Sequence, residues 1–250
     1  MSRRTSTSAI SIARSLGREA GRLRFQVPVT HVYNPLVYAF EAHSRYLELY
    51  CRSTAEVLLV GMNPGPWGMA QTGVPFGEVA LVRDWLGIDS GVRRPRQTHP
   101  KRPIEGFQCQ RSEISGQRLW GWAKSRFGDP DAFFQRFFVW NHCPLAFLEA
   151  SGRNRTPDKL PLEERVPLFE VCDRALARIA DLVAPTFVLG IGKYAEDRAR
   201  AALGDSVRVG RILHPSPASP AANRGWAPQV ERQLESLGIE LPSCHSRAQG

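Results

Sequence analysis

Several features are scarce or missing in this 250-residue sequence, and each absence narrows the class of protein. No C-x-x-C pair occurs, which disfavours a zinc or iron–sulfur site, so a reduced protein without metal or other cofactor is the simplest interpretation. No run approaches the ~20 apolar residues that span a bilayer, and we expect a soluble protein with no membrane partner. The cysteines are odd in number and scattered: Cys51, Cys109, Cys143, Cys172 and Cys244.

Lysine is also rare, because only four of the 33 basic residues are lysines and the rest are arginines. The formal net charge of +9 would attract a polyanion such as nucleic acid. Arginine is the better bidentate donor to phosphate. A GC-rich genome would produce the same arginine excess, so the excess supports DNA binding only weakly.

Acidic residues are missing from the first 18 positions, which hold Arg3, Arg4, Arg14 and Arg18 together with several serines. This composition is typical of an organelle transit peptide and equally of a disordered basic arm. We expect a disordered arm over residues 1–25, one domain over 26–240 and a disordered tail over 241–250. A chain of this length with 42% hydrophobic residues can bury the core of one domain.

Short apolar or β-branched runs alternate with helical patterns along the chain. This alternation predicts an α/β fold with a four-stranded parallel sheet sandwiched between helices. Ligands of such sheets bind beyond the carboxyl ends of the strands, so the functional residues are expected in the loops that follow the strands. The predicted strands are 56–60, 137–140, 186–189 and 207–213, and the predicted helices are 36–50, 78–86, 113–127, 162–182, 195–203 and 226–237.

The loop after the first strand, GMNPGPWGMAQTGVPFG at 61–77, is long and rich in glycine and proline. Glycines let backbone N–H groups approach a ligand closely, and prolines hold the turn. We therefore interpret it as a loop that wraps a planar base or a phosphate, with an ordinary surface loop as the alternative.

The second strand ends in Trp140, Asn141 and His142. The amide of Asn141 offers one acceptor and one donor group, which complement the pairing edge of uracil, although an Asn before a turn is often a structural cap. We expect His142 to be packed or solvent-facing and not catalytic.

The third strand leads into Gly190, Gly192 and Ala195, which satisfy the G-x-G-x-x-A dinucleotide pattern. That pattern needs an acid about 20 residues later, and none occurs between Asp205 and Glu231. We interpret these glycines as close helix–sheet packing.

The fourth strand is followed by LHPSPASP at 213–220, in which His214 is the strongest candidate among the six histidines. A rigid Pro-Ser-Pro turn before a helix can present a hydroxyl and backbone N–H groups to a phosphate. A capped turn with a satisfied histidine is the structural alternative.

Taken together, GMNPGPWGMAQTGVPFG, WNHCPL, SGRNRTP and LHPSP before NRGW resemble the single-strand-selective monofunctional uracil-DNA glycosylases, from about residue 33 to 238. The resemblance implies a DNA repair enzyme that flips uracil out of single- or double-stranded DNA and hydrolyses its N-glycosidic bond. No lysine lies in the motifs, so cleavage of the strand through a Schiff base is not expected and an abasic site remains.

The resemblance also implies roles for individual residues. Asn63 would orient the attacking water and His214 would stabilise the leaving uracil anion. Phe76 would stack beneath the flipped base and Asn141 would read it. Met62 and Gly65 would line the pocket near position 5 of the pyrimidine, which in this family excludes the thymine methyl and admits a hydroxymethyl group, so 5-hydroxymethyluracil is an implied substrate.

DNA is the expected partner, and we expect the protein to act as a monomer, in the cytoplasm or nucleoid of a bacterium or the nucleus of a eukaryote. The family often has an Arg directly after the HPSP turn, which wedges into the gap left by the flipped base; this chain has Ala218 there. We therefore expect weaker action on paired duplex than on single strands. The expected DNA-contacting residues are Arg153, Asn154, Ser216, Ala218, Ser219 and Arg224.

Three alternatives remain open at this point. One is a non-catalytic module that binds nucleic acid with the same basic cleft. Another is a dehydrogenase built on Gly190 to Ala195, which the missing acid disfavours. The third is an iron–sulfur uracil glycosylase, which the cysteine spacing disfavours.

Overall fold

The computed structural model describes residues 2–53 and 55–242. Its central sheet has four parallel strands in the order β3-β2-β6-β7, which confirms the predicted fold. Helices lie on both faces of this sheet. The seven strands described are β1 (Val29–Tyr33), β2 (Val57–Gly61), β3 (Phe137–Asn141), β4 (Ala146–Glu149), β5 (Asn154–Arg155), β6 (Phe187–Ile191) and β7 (Arg208–Ile212).

The sequences of the central strands explain their position. β2, β3 and β6 read VLLVG, FFVWN and FVLGI, and every residue in them is buried, as expected for parallel strands covered on both faces. β7 reads RVGRI, pairs on one side with β6 and leaves both arginines exposed at the edge of the sheet. Because the strands are parallel and in register, with Gly61 opposite Asn141, their carboxyl ends meet at one edge.

The longer predicted helices all occur, and shorter ones lie between them. No described helix is both long and apolar enough to cross a membrane. The helices are α1 (Ser2–Ala20), α2 (Pro35–Tyr38), α3 (Phe40–Tyr50), α4 (Met69–Thr72), α5 (Val79–Asp84), α6 (Ile114–Phe127), α7 (Pro130–Phe134), α8 (Leu162–Val183), α9 (Lys193–Leu203), α10 (Pro220–Asn223) and α11 (Trp226–Ser236), with 3-10 turns at Gly106–Gln108 and Pro157–Lys159.

Helix α1 corrects one expectation, because residues 2–20 are helical and not a disordered arm. Its apolar residues recur at helical spacing and form a buried stripe, while Arg4, Arg14 and Arg18 are exposed. The stripe packs against α8 and α3, and Arg174 of α8 pairs with Glu19. The stripe consists of Ala9, Ile12, Ala13, Leu16 and Ala20. Of the predicted tail, residues 243–250 lie outside the described residues.

A second sheet, which the sequence did not predict, has three short strands in the order β1-β4-β5. These strands are antiparallel, and β4 begins five residues after Asn141, directly beyond the WNHCP turn. Pairing of β5 with β4 brings Asn154 beside the glycine-rich loop, where its Nδ2 donates to the carbonyl oxygen of Pro64 at 3.4 Å. This sheet therefore supplies one wall at the carboxyl edge of the central sheet.

The glycines of the G-x-G-x-x-A pattern, Gly190 and Gly192, have the packing role expected of them. A Cβ atom at Gly190 would collide with the backbone of Glu196, so glycine lets α9 lie directly against the sheet. Gly192 has φ +91°, and a Cβ there would lie 3.2 Å from the Cβ of His214. The glycines thus bring β6, α9 and the loop after β7 together.

Candidate active site

A cavity of about 340 Å³ opens at the carboxyl edge of the central sheet. It brings together residues from three strand-end loops that the sequence singled out separately, and it includes every residue expected to be catalytic or to bind the base. Its lining comprises Met62, Asn63, Gly65, Pro66, Met69, Phe76, Glu113, Ser115, Asn141, Asn154, Thr156, His214 and Ser216.

His214 follows β7 and enters the cavity as a neutral side chain. Burial lowers its pKa to about 4, so the imidazole carries no charge near neutral pH. The backbone N–H of Ser216 donates to its Nδ1 at 3.0 Å, which requires Nδ1 to be an acceptor. The proton of the neutral ring is therefore assigned to Nε2, and His214 can donate a hydrogen bond from that nitrogen.

The side-chain amide of Asn63 is held by a hydrogen bond from its nitrogen. Its Nδ2 donates to the carbonyl oxygen of Leu145 at 3.1 Å, which fixes the amide and leaves Oδ1 as an acceptor. An amide does not take a proton near neutral pH, so Asn63 can orient a water molecule and cannot act as a strong base.

Asn141 ends β3 and is 95% buried, with a relative exposure of 5%. Its Nδ2 lies 3.2 Å from the sulfur of Met69, a weak acceptor, and its Oδ1 has no hydrogen-bond partner among the described residues. An unpaired buried carbonyl oxygen is costly unless a ligand pairs with it. The side chain is thus arranged to receive a donor from a molecule in the cavity.

Phe76 forms a flat, apolar surface in the cavity, and its backbone is unusual. Its φ of +52° is a conformation that non-glycine residues rarely adopt, and such strain tends to occur at functional sites. A Cβ at Gly61 would lie 2.6 Å from the Phe76 ring and would also collide with Oδ1 of Asn141. Glycine at position 61 therefore lets the ring and the amide come together beside His214, whose ring centroid is 6.2 Å from that of Phe76.

The loop after β7 is braced from within and from α6. Ser216 Oγ accepts from the Ala218 N–H at 3.1 Å, and Ser219 Oγ accepts from the Ala222 N–H at 3.4 Å, which caps α10. Arg118 of α6 donates to the carbonyl oxygen of Pro215 at 3.0 Å and also to Asn223. The loop that carries His214 is consequently held on two sides.

The residues expected to contact DNA differ in where they lie. Asn154 and Ser216 line the cavity, and Oδ1 of Asn154 is buried without a partner among the described residues. The side chains of Arg153, Ala218 and Arg224 are exposed. Ser219 is partly buried and already used as a helix cap. Contact of any of them with DNA stays a prediction.

Sequence reasoning gave no role to several residues that line or support the cavity, notably Glu113, Ser115, Thr156 and Arg118. The SEISG stretch at 112–116 belongs to the resemblance, but nothing in its local pattern shows that Glu113 turns toward the glycine-rich loop. Burial raises the pKa of Glu113, and a hydrogen bond from the Trp67 backbone N–H opposes that rise.

His142, the neighbour of Asn141, is fully buried and bonded at both ring nitrogens. Its Nε2 lies 2.8 Å from Oδ1 of Asp173, and its Nδ1 lies 2.9 Å from the hydroxyl of Tyr194. Burial lowers its pKa, while Asp173 acts in the opposite direction. It is packed, as expected, and leaves no ring nitrogen free for a ligand.

The parallel sheet and the cavity at its carboxyl edge, with an aromatic residue of positive φ, three asparagine amides and a neutral histidine, define a class of base-binding enzyme. A sequence model described as the uracil DNA glycosylase superfamily matches residues 48–235. A crystal structure of SMUG2 from Pedobacter heparinus shares the fold with a TM-score of 0.63, at 16% identity, over 91% of this chain and 97% of that chain.

Closer relatives narrow the class. The single-strand selective monofunctional uracil-DNA glycosylase of Rattus norvegicus is 51% identical over 227 residues, which cover 90% of this chain and 82% of the rat protein. The Bos taurus protein of the same name is 50% identical and is covered over 84% of its length. The chain belongs to the family of single-strand selective monofunctional uracil-DNA glycosylases and is an enzyme of that kind. Membership of this family sets aside the dehydrogenase and the non-catalytic module.

Proposed function

We propose that the cavity takes uracil flipped out of DNA and that the enzyme hydrolyses its N-glycosidic bond. The observation that carries this proposal is the buried, unpaired Oδ1 of Asn141 beside the Phe76 ring. Oδ1 can accept from N3–H of uracil, while Nδ2 donates to O4. Cytosine presents an acceptor at N3 and a donor at position 4, which mismatches both atoms.

Catalysis in this proposal rests on electrostatics and orientation. Uracil leaves as an anion, and its charge develops in part on O2, beside the glycosidic nitrogen. The Nε2–H of neutral His214 donates to O2 and lowers the barrier where that charge appears. A neutral donor suits this task, because the ring needs neither to gain nor to lose a proton during bond cleavage.

The fate of the sugar follows from Asn63. As the bond between C1′ and N1 breaks, the deoxyribose becomes oxocarbenium-like and the oxygen of a water molecule bonds to C1′. The proton that the water loses balances the charge of the departing uracil anion. Asn63 Oδ1 holds that water, since Nδ2 is already bonded to Leu145. The product is an abasic site in an uncut strand, because the described residues of the lining include no lysine that could form a Schiff base.

Recognition of DNA uses the surface around the cavity. Extruding a base costs a few kcal/mol, least from a single strand, and stacking on Phe76 recovers about 1–3 kcal/mol of it. Arg153 and Arg224 would pair with phosphates beside the cavity, where Ser216 would contribute its hydroxyl. The small Ala218 fills the gap in a duplex poorly, so single strands are the preferred substrate and matched duplex is a weaker one.

The substrate range extends to 5-hydroxymethyluracil. Gly65 and Met62 line the cavity, and Gly65 has no side chain that would take up the space proposed for a substituent at position 5. A monomer suffices for these steps, because all the proposed roles fall on one chain.

The experiment is release of base from single-stranded oligonucleotides that contain one uracil or one 5-hydroxymethyluracil. The proposal predicts that both bases are released and that the strand stays intact until alkali cleaves it at the abasic site. Tight binding of the uracil oligonucleotide without release would refute the glycosylase reaction. Release of uracil alone would refute only the wider substrate range.

A further inference from the structure

The wall of the cavity contains a buried carboxyl group that the proposed catalytic steps do not use. Glu113 is the N-cap residue of α6, a position where a carboxylate normally bonds to the first backbone N–H groups of the helix. It makes no such bond. Instead its side chain lines the cavity and lies against the glycine-rich loop.

Two glycines of that loop leave the space that the Glu113 side chain occupies. A Cβ at Gly65 would lie 2.5 Å from Oε2 of Glu113, and a Cβ at Gly68 would lie 2.8 Å from its Cγ. Any side chain at either position would displace the carboxyl. The absence of a side chain at Gly65 therefore opens the cavity at this position. It also exposes the carboxyl group of Glu113, a polar group, as the wall behind the opening.

The proposed orientation of the base turns position 5 toward this wall. If Asn141 reads N3 and O4 while His214 faces O2, the C5–C6 edge lies on the side away from His214. Met62 and Gly65 flank that side, and Glu113 stands directly behind Gly65. A substituent at C5 thus points toward the carboxyl group of Glu113.

We propose that Glu113 is a specificity-determining residue that accepts a hydrogen bond from the hydroxyl of 5-hydroxymethyluracil. The inference rests on the proposed function and deepens it. Uracil has only a hydrogen atom at C5 and therefore forms no hydrogen bond with the Glu113 carboxyl group. The methyl of thymine would exclude water from the carboxyl without offering a donor, so the same group disfavours the normal base.

The test measures single-turnover release of uracil and of 5-hydroxymethyluracil by the wild type, Glu113→Met and Glu113→Gln. Met keeps the length of the side chain and removes its acceptor, and Gln keeps a neutral acceptor. We expect Glu113→Met to lower 5-hydroxymethyluracil release about 10- to 100-fold relative to uracil, as for loss of a hydrogen bond to a charged group. Glu113→Gln should show a smaller fall in that ratio. Glu105→Gln, a change at an exposed glutamate nearby, is the matched control and should leave the ratio unchanged.

The ratio of the two release rates distinguishes recognition of the C5 substituent from a purely structural role of Glu113 in the loop. A general distortion of the loop would lower both release rates by the same factor and leave their ratio unchanged. An unchanged ratio in both Glu113 variants would overturn the inference, even if both rates fall. If Glu113→Met does not fold, Glu113→Gln decides on the same criterion. A wild type that releases uracil and no 5-hydroxymethyluracil would overturn this inference together with the wider substrate range. Release of neither base would instead remove the proposed reaction itself.

Discussion

Two histidines at the carboxyl edge of the same sheet have opposite environments. His142, at the end of β3, is bonded to Asp173 and Tyr194 through its two ring nitrogens and is completely enclosed. His214, after β7, uses Nδ1 to accept from Ser216 and keeps Nε2 for the cavity. Burial lowers the pKa of both rings.

The comparison shows that burial and a lowered pKa do not by themselves mark a functional residue. What separates the two regions is the number of hydrogen-bonding atoms left for a ligand. The region around His142 is closed by a network that also includes Arg198, which pairs with Asp173. The region around His214 leaves polar atoms of Asn141 and Asn154 unpaired within the described structure. We infer that the first region supports the fold and the second carries the chemistry.

Among the variants that keep His214, the largest effect is expected at an asparagine, and two asparagines allow the same contrast. Replacing Asn63 with Ala removes the group that holds the attacking water, and we expect uracil release to fall about 100-fold, as for misplacement of a reactant. Asn34→Ala is the matched control, since Nδ2 of Asn34 also bonds a carbonyl oxygen, that of Gly17 at 2.8 Å, outside the cavity. That control should destabilise the fold by about 1 kcal/mol and keep its rate.

Those two variants are compared by single-turnover kinetics and thermal unfolding. A loss of rate in Asn34→Ala equal to that in Asn63→Ala would break the comparison, because an amide that lines the cavity and one that lies outside it would then behave alike.

A second expectation concerns duplex DNA and the loop that carries His214. Ala218→Arg should supply a side chain that fills the gap left by the flipped base, and we expect release from matched U:A duplex to rise about 10-fold while single-strand release stays unchanged. The two rates are measured on the same labelled strand, alone or annealed. Comparable wild-type rates on both forms of DNA would remove the reason for this expectation.

The smallest effect is expected from pH near neutrality. Because the pKa of His214 is lowered to about 4, its neutral form persists well below the pH where an ordinary histidine takes up a proton. We therefore expect uracil release to change less than about twofold between pH 8 and pH 5 through this group. It should fall only as the pH approaches 4, where protonation of Nδ1 would break the bond from Ser216. A fall in kcat with a midpoint near pH 6.5, present in the wild type and absent in a His214 variant, would contradict the conclusion that His214 is neutral near pH 7.

Much of the fold could be predicted from the sequence, because the four central strands are buried apolar runs bounded by turns. Helix α1 is an exception, because the basic composition of this segment predicts a disordered arm, whereas the helical spacing of Ala9, Ile12, Ala13 and Leu16 determines its packing. The short strands β4 and β5 have few residues and depend on tertiary pairing, so no local pattern indicates them.

The candidate site shows the same division. The loops that meet at the cavity could be found because each follows a strand, and strand ends converge in a parallel sheet. The roles of Glu113 and Arg118 could not be predicted in this way, because their positions depend on how α6 lies across the glycine-rich loop and the loop after β7. The burial of a carboxyl group is a property of the assembled structure and leaves no signal in the adjacent sequence.

The most direct test of the contrast replaces both histidines by the same residue. Single-turnover uracil release and thermal unfolding are measured for His214→Leu and His142→Leu. We expect His214→Leu to lose about 100- to 1,000-fold in rate with little change in stability. His142→Leu should lower the free energy of unfolding by about 1–3 kcal/mol, since Asp173 and Tyr194 lose a buried partner, and keep the rate of the folded enzyme. Near-normal release by His214→Leu, or an equal loss in both variants, would contradict the account.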